Sequence, residues 1–149
     1  MSDEAAGCCG VTHGCVFAKA LLARSASCEC AERQQAGEAS AIGCRSPVAH
    51  HNCEMLAALF AERAHFALRL PPAGRPLLHM QAMRVQCGGV AALREHLGEA
   101  APASTAIDDV HRLVQAAQQR YGSLTDLPWA ELVPCMQAWM PRQRKAPPR

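Results

Sequence analysis

Apolar residues recur at helical intervals through most of this chain, and short polar or proline-rich breaks separate the segments. Within residues 15–26, Phe17, Leu21 and Arg24 share one side with Leu22 beside them, which predicts a first helix. Ala31 to Ala36 read as its extension, up to a stop at Gly37, and residues 38–46 as a connecting loop. Ser46-Pro47 then supplies a helix start, with serine as N-cap and proline at the first helical position. That helix is expected to run from Pro47 to about Leu68. Val48, Asn52, Met55, Leu59 and Phe66 trace one of its sides, and Cys53, Leu56 and Phe60 trace an adjoining apolar side that turns Cys53 inward.

The prolines of Leu70-Pro71-Pro72-Ala73-Gly74-Arg75-Pro76 break the pattern and predict a stiff connection between two long helices. The next helix is expected from Leu77 to Leu97, closed by Gly98, with Met80, Met83, Cys87, Val90 and Leu97 on the stripe that meets a partner helix. After a linker at 99–107, Asp108 is the expected cap of a helix whose inner side is Val110, Leu113, Val114, Ala117 and Tyr121, ended by Gly122. A last helix opens at Pro128, carries Trp129, Leu132, Met136 and Trp139, and should kink at Pro134. The pattern as a whole predicts an all-α protein, a small irregular bundle of about five helices with loop-borne and helix-borne cysteines. Its expected parts are a flexible Cys-rich N-terminus (1–14), a Cys-bearing helical core (15–98), a C-terminal helical hairpin (107–140) and a disordered basic tail (141–149).

Composition supports the helical reading. Half of the 149 residues are apolar but only 4% are aromatic, so the core must be built from Ala, Leu, Val and Met, which suits close helix packing better than sheets. The length fits one domain able to bury a core without staples. The net charge is +2, and four cations (Arg142, Arg144, Lys145, Arg149) sit in the tail, so the body is slightly acidic. A near-neutral body with few aromatics argues against a nucleic-acid partner. No apolar run is long enough to span a membrane, and the acidic start, Met1-Ser2-Asp3-Glu4, reads as cytoplasmic rather than secretory.

Cytoplasmic placement changes the meaning of nine cysteines. In a reducing compartment they point to metal ligation, redox chemistry or burial rather than to a disulfide framework, and the odd count agrees. The stretch Cys44-Arg-Ser-Pro-Val-Ala-His-His-Asn-Cys53 sets two thiols and two imidazoles across the Ser46-Pro47 helix start, where free N–H groups favour a thiolate. On a continuous helix the thiols of Cys28-Glu29-Cys30 would point about 200° apart, so one of the pair is expected as a ligand, with Cys30 preferred. Cys87 lies on an inward stripe and precedes Gly88-Gly89, which costs a helix roughly 1 kcal/mol per glycine against alanine. The pair is read as room for something bulky beside the thiol.

The predicted ligand set is therefore Cys30, Cys44, Cys53 and Cys87, with Cys28, Cys8, Cys9, His13, Cys15, His50 and His51 as lesser candidates. Met80 and Met83 are read as core, and Cys135 is left out of the site. The separations of 14, 9 and 34 positions lack the short Cys pairs of structural zinc and the compact runs of ferredoxins. Widely spaced thiols from several elements suit a [4Fe–4S] cluster that staples them together. There is no phosphate-binding glycine loop, nucleophile elbow or His-Glu-x-x-His motif, and the paired acids at 108–109 are explained by capping, so the balance is against an enzyme. The expectation is a small cytoplasmic iron–sulfur protein, an electron-transfer or accessory component that docks on a redox protein or complex. The alternatives are a zinc-stabilised adaptor and a thiol-based metal carrier using Cys8, Cys9 and Cys15.

Overall fold

The computed structural model describes residues 13–36, 39–72, 74–98 and 108–141; Cys8, Cys9, the predicted linker at 99–107 and the tail from 142 lie outside them. The chain is mostly helical, as the periodicity predicts, but it also contains strands. A short strand β1 (His13–Gly14) leads to helix α1 (Ala18–Leu22), strand β2 (Ala26–Ser27) and a hairpin of β3 (Ala31–Ala36) and β4 (Ala39–Cys44). Helix α2 (Pro47–Arg63) follows, then α3 (His79–Met83), a π-helical turn (Arg84–Gly88) and α4 (Gly89–Leu97) in one continuous run. Strand β5 (Asp108–Asp109), α5 (Val110–Tyr121), a 3-10 turn (Leu124–Asp126) and α6 (Trp129–Ala138) complete the described chain.

The hairpin corrects the expected helix extension and loop. β3 and β4 pair antiparallel from Ala31↔Cys44 to Ala36↔Ala39, and β1 adds to the other edge of β4 with His13 opposite Cys44. Helix propensity in Ala31–Ala36 loses here to pairing with β4, which lays buried Ile42 and Cys44 onto the core. The first helix is also shorter than predicted. It stops after one turn and a half, because Arg24 takes a left-handed backbone (φ 60°) while its N–H and that of Ser25 close back on Leu21 and Ala20.

Helix α2 starts where the sequence indicates: Ser46 Oγ accepts from the Ala49 N–H at 3.1 Å, with Pro47 in the first turn. Its inward side is Ala49, Leu56 and Phe60, with Cys53 half-buried beside them, while Val48 is 72% exposed and Phe66 91% exposed. Phe60 is the centre of the core, edge-on to Phe17 at 6.3 Å and to Trp129 at 5.8 Å between ring centroids. The cap of α5 is Asp109 rather than Asp108: its Oδ1 accepts from the Arg112 N–H at 3.2 Å. Strand β5 pairs in parallel with β2, Ala26 with Asp108 and Ser27 with Asp109, so the C-terminal half is tied directly to the segment that carries Cys28. Among the described residues no helix is long and apolar enough to cross a membrane.

Candidate metal centre

Four elements bring thiols to one place. Cys15 follows β1, Cys28 and Cys30 lie in the turn between β2 and β3, Cys44 ends β4, and Cys53 is in the second turn of α2. Cys15, Cys28, Cys44 and Cys53 line a small cavity of about 10 Å³ that Phe17, Leu21, Val110 and other apolar groups wall off, and His50 reaches its edge. A space of that size admits one atom-sized guest. Cys30 stands just outside it, beside Cys28 and Cys44.

Main-chain donors already point at these sulfurs. The N–H of Phe17 donates to Cys15, and the N–H groups of Cys30 and His111 donate to Cys28. His111 belongs to the first turn of α5, so it is the N-terminus of α5 that faces a thiol with its unpaired N–H groups. The Cys44 S–H instead donates to the Ser46 carbonyl at 3.4 Å. The Cys28–Cys30 turn is fixed from α5 as well, because the Glu29 N–H donates to Asp109 Oδ2 at 3.0 Å. Asp109 therefore caps its own helix with one oxygen and holds the cysteine turn with the other.

Burial raises the pKa of four of these thiols, Cys15, Cys28, Cys30 and Cys53. Burial, reinforced by the thiols of Cys28, Cys15, Cys44 and Cys30, pushes Cys53 up to about 12. Burial pushes Cys28 up to about 11 against the N–H groups that favour its thiolate. Cys15 is raised by burial, and Cys30 by burial and then by Cys44. A soft cation that replaces these protons removes both causes at once, since the negative sulfurs then face positive charge. Among the described residues, no group of three Cys, His, Asp or Glu side chains is arranged to hold a metal ion directly. The thiols are neighbours around the cavity.

Of the predicted ligands, Cys30, Cys44 and Cys53 are thus brought together, and Cys87 is not. Cys87 is buried in the π-helical turn, where the Ser25 hydroxyl donates to it, and no other thiol acts on it. The glycines after it make room for packing: a Cβ on Gly89 would stand 2.4 Å from the Phe60 ring, and one on Gly88 would stand 3.2 Å from the Met136 carbonyl oxygen. The bulky neighbours are an aromatic ring and helix α6. His50 spends its ring nitrogens on the Gly14 carbonyl (3.1 Å) and Glu54 (3.5 Å), and His51 is exposed. Cys135 is half-exposed near Glu95. The backbone of His13 pairs with Cys44, and Cys8 and Cys9 lie outside the described residues.

Cys28 ranks low in the sequence because helix is expected around it, and Cys15 because it falls in with Cys8 and Cys9 of the glycine-punctuated N-terminal segment. The divergence of a Cys-x-Cys pair holds only on a helix, and residues 28–30 form a turn in which the Cys28 S–H donates to Cys30. The usable signal is that cysteines stand at the junctions into β3 (Cys28, Cys30) and into α2 (Cys44). Set beside known proteins, the chain matches no family model, no curated protein and no solved structure.

Proposed function

We propose that this chain is a small iron–sulfur protein that holds its cluster, of the [4Fe–4S] type, on Cys15, Cys28, Cys44 and Cys53, and that it serves a larger redox system as an electron-transfer or accessory component. The observation that carries the reading is the meeting of four thiols from four separate elements on one apolar cavity, with main-chain N–H groups aimed at two of the sulfurs. A soft, thiophilic guest suits that donor set, and a cube would give each thiol its own iron, although it needs more room than the atom-sized cavity leaves, so the sulfurs would have to move apart to take it. When bound, the cluster supplies one-electron carriage. The chain's own contribution is to bind and orient the sulfurs, to exclude water with Phe17, Leu21 and Val110, and to set the electron affinity through the N–H donors on Cys15 and Cys28, since such hydrogen bonds favour the more negative, reduced form. Val48 and Met55, apolar and exposed on the outer side of α2, give a protein partner a surface beside the site.

One observation favours a second reading. The cavity is atom-sized, which suits a single zinc ion in a four-thiolate shell and a protein-binding adaptor rather than a redox protein. Anaerobic purification separates the two. Brown protein, bleached by dithionite and holding iron and sulfide in equal amounts, supports the cluster; colourless protein holding zinc supports the adaptor. A helical product that takes up neither metal overturns both.

A further inference from the structure

Cys28 has two faces. Its inner face lines the thiol cavity, and its outer face, together with Leu21 and Ala31, lines a separate open cleft of about 450 Å³. The cleft is edged by two arginines, Arg24 from the end of α1 and Arg33 from β3, with Ser27 between them on β2. Neither guanidinium pairs with a carboxylate among the described residues, and no acidic residue lines the cleft. Arg24 stands at the helix end in a left-handed backbone, φ 60°, a position where glycine is the usual occupant. A non-glycine residue is disfavoured in that conformation, and the residue that occupies it supplies one of the two charges on the cleft.

The cleft thus offers two positive forks at its edge, an apolar floor and a sulfur that also lines the inner cavity. We propose that it binds a small carboxylate-bearing thiol of the peptide class, which displaces Cys28 from the bound metal and so loads or unloads the centre. The inference rests on the metal-centre reading above. The step is a ligand exchange without a change of oxidation state. The metal–sulfur bond to Cys28 breaks, a metal–sulfur bond to the incoming thiol forms, and the proton of that thiol passes to the Cys28 sulfur. Arg24 and Arg33 hold the carboxylates by paired N–H···O contacts, the geometry for which a guanidinium is built. Cys28, once released, keeps a partner, because its S–H donates to Cys30 as it does in the metal-free chain.

Glutathione and S-methylglutathione are the probes. S-methylglutathione, which cannot ligate, is titrated into the protein by NMR or calorimetry, and saturable binding is expected that weakens roughly tenfold or more in an R24Q/R33Q double variant. Binding that ignores both substitutions, or no binding, overturns the cleft. On the metal-loaded protein, glutathione should speed transfer of metal to a colorimetric chelator with a saturating concentration dependence, whereas neutral 2-mercaptoethanol should give a slower, linear one. Equal behaviour of the two thiols in the unsubstituted protein overturns the displacement step. A chain that takes up neither iron nor zinc overturns the metal reading and that step with it, while the S-methylglutathione titration still decides for or against the cleft.

Discussion

Gly89 leaves the space that Phe60 fills: a Cβ on Gly89 would stand 2.4 Å from the ring carbon Cε2. Phe60 cannot swing aside, because Phe17 and Trp129 hold it edge-on from both flanks. Gly89→Ala should therefore destabilise the protein although alanine is the better helix former. Overpacking costs about 1–3 kcal/mol and the propensity gain returns about 1, which leaves a net loss of up to about 2 kcal/mol, read as a lower urea midpoint. A midpoint that rises would show that the ring is not fixed. Gly88→Ala meets its neighbours only at 3.2 Å and should cost less.

Ligand identity separates the geometry from the cysteine spacing. Cys15→Ser, Cys28→Ser, Cys44→Ser and Cys53→Ser should each strip the bound metal on purification, whereas Cys30→Ser, Cys87→Ser and Cys135→Ser should retain it. Metal analysis of the seven variants checks this. Loss of metal in Cys87→Ser, with normal helicity, would restore the wider set that the spacing suggests.

Thiol reactivity reports the burial of the site. In metal-free protein the rate of alkylation at Cys53 should go on rising to about pH 12, and that at Cys28 to about pH 11, well past the ordinary thiol range. The raised values also set a sign for stability. The unfolded chain loses these protons first as pH rises, so the contribution is complete below about pH 9 and is lost through the interval up to the folded values. Chemical denaturation at pH 8 and pH 10.5 should show the fall, and metal loading should abolish it. A metal-free protein equally stable at both values would place these thiols in water.

Asp109 joins two functions in one carboxylate, and Asp109→Ala removes both. Loss of the α5 cap costs about 1 kcal/mol, and loss of the Glu29 N–H contact frees the Cys28–Cys30 turn. Asp109→Asn retains a capping oxygen and should recover most of the stability. Both variants should release metal to a chelator faster than Ser46→Ala, which removes the cap of α2 but leaves that turn intact. Equal release from all three would mean that general loosening, and not the turn, controls retention.

The helices were legible because capping and periodicity act locally. Ser46-Pro47, the apolar face around Leu56 and Phe60, and Gly98 and Gly122 after their helices all stand where the pattern puts them. The hairpin was not legible, because Ala31–Ala36 has no alternation of apolar and polar residues and gains its strand from pairing with β4 and from the burial of Ile42. That error carried into the site. Cys28 ranks low on a helix geometry that its turn does not follow, Cys15 on its place beside the N-terminal thiols, and Cys87 ranks high on glycines whose neighbours are Met136 for Gly88 and, for Gly89, Phe60 twenty-nine positions earlier, contacts that no local pattern shows. Thiol chemistry itself was visible in the cysteine count, whereas the choice among thiols depends on contacts distant in sequence.

The parallel pairing of β2 with β5 has a consequence for the order in which the protein is made. All five clustered thiols lie before residue 54, yet Val110, which closes their wall, and the His111 N–H, which meets Cys28, come from a helix that begins more than fifty residues later. A chain leaving the ribosome from its N-terminal end carries five open, uncovered cysteines for as long as it takes to synthesise that interval. Any metal they take up would therefore be enclosed only once α5 is in place, and until then those sulfurs stand open to oxidation.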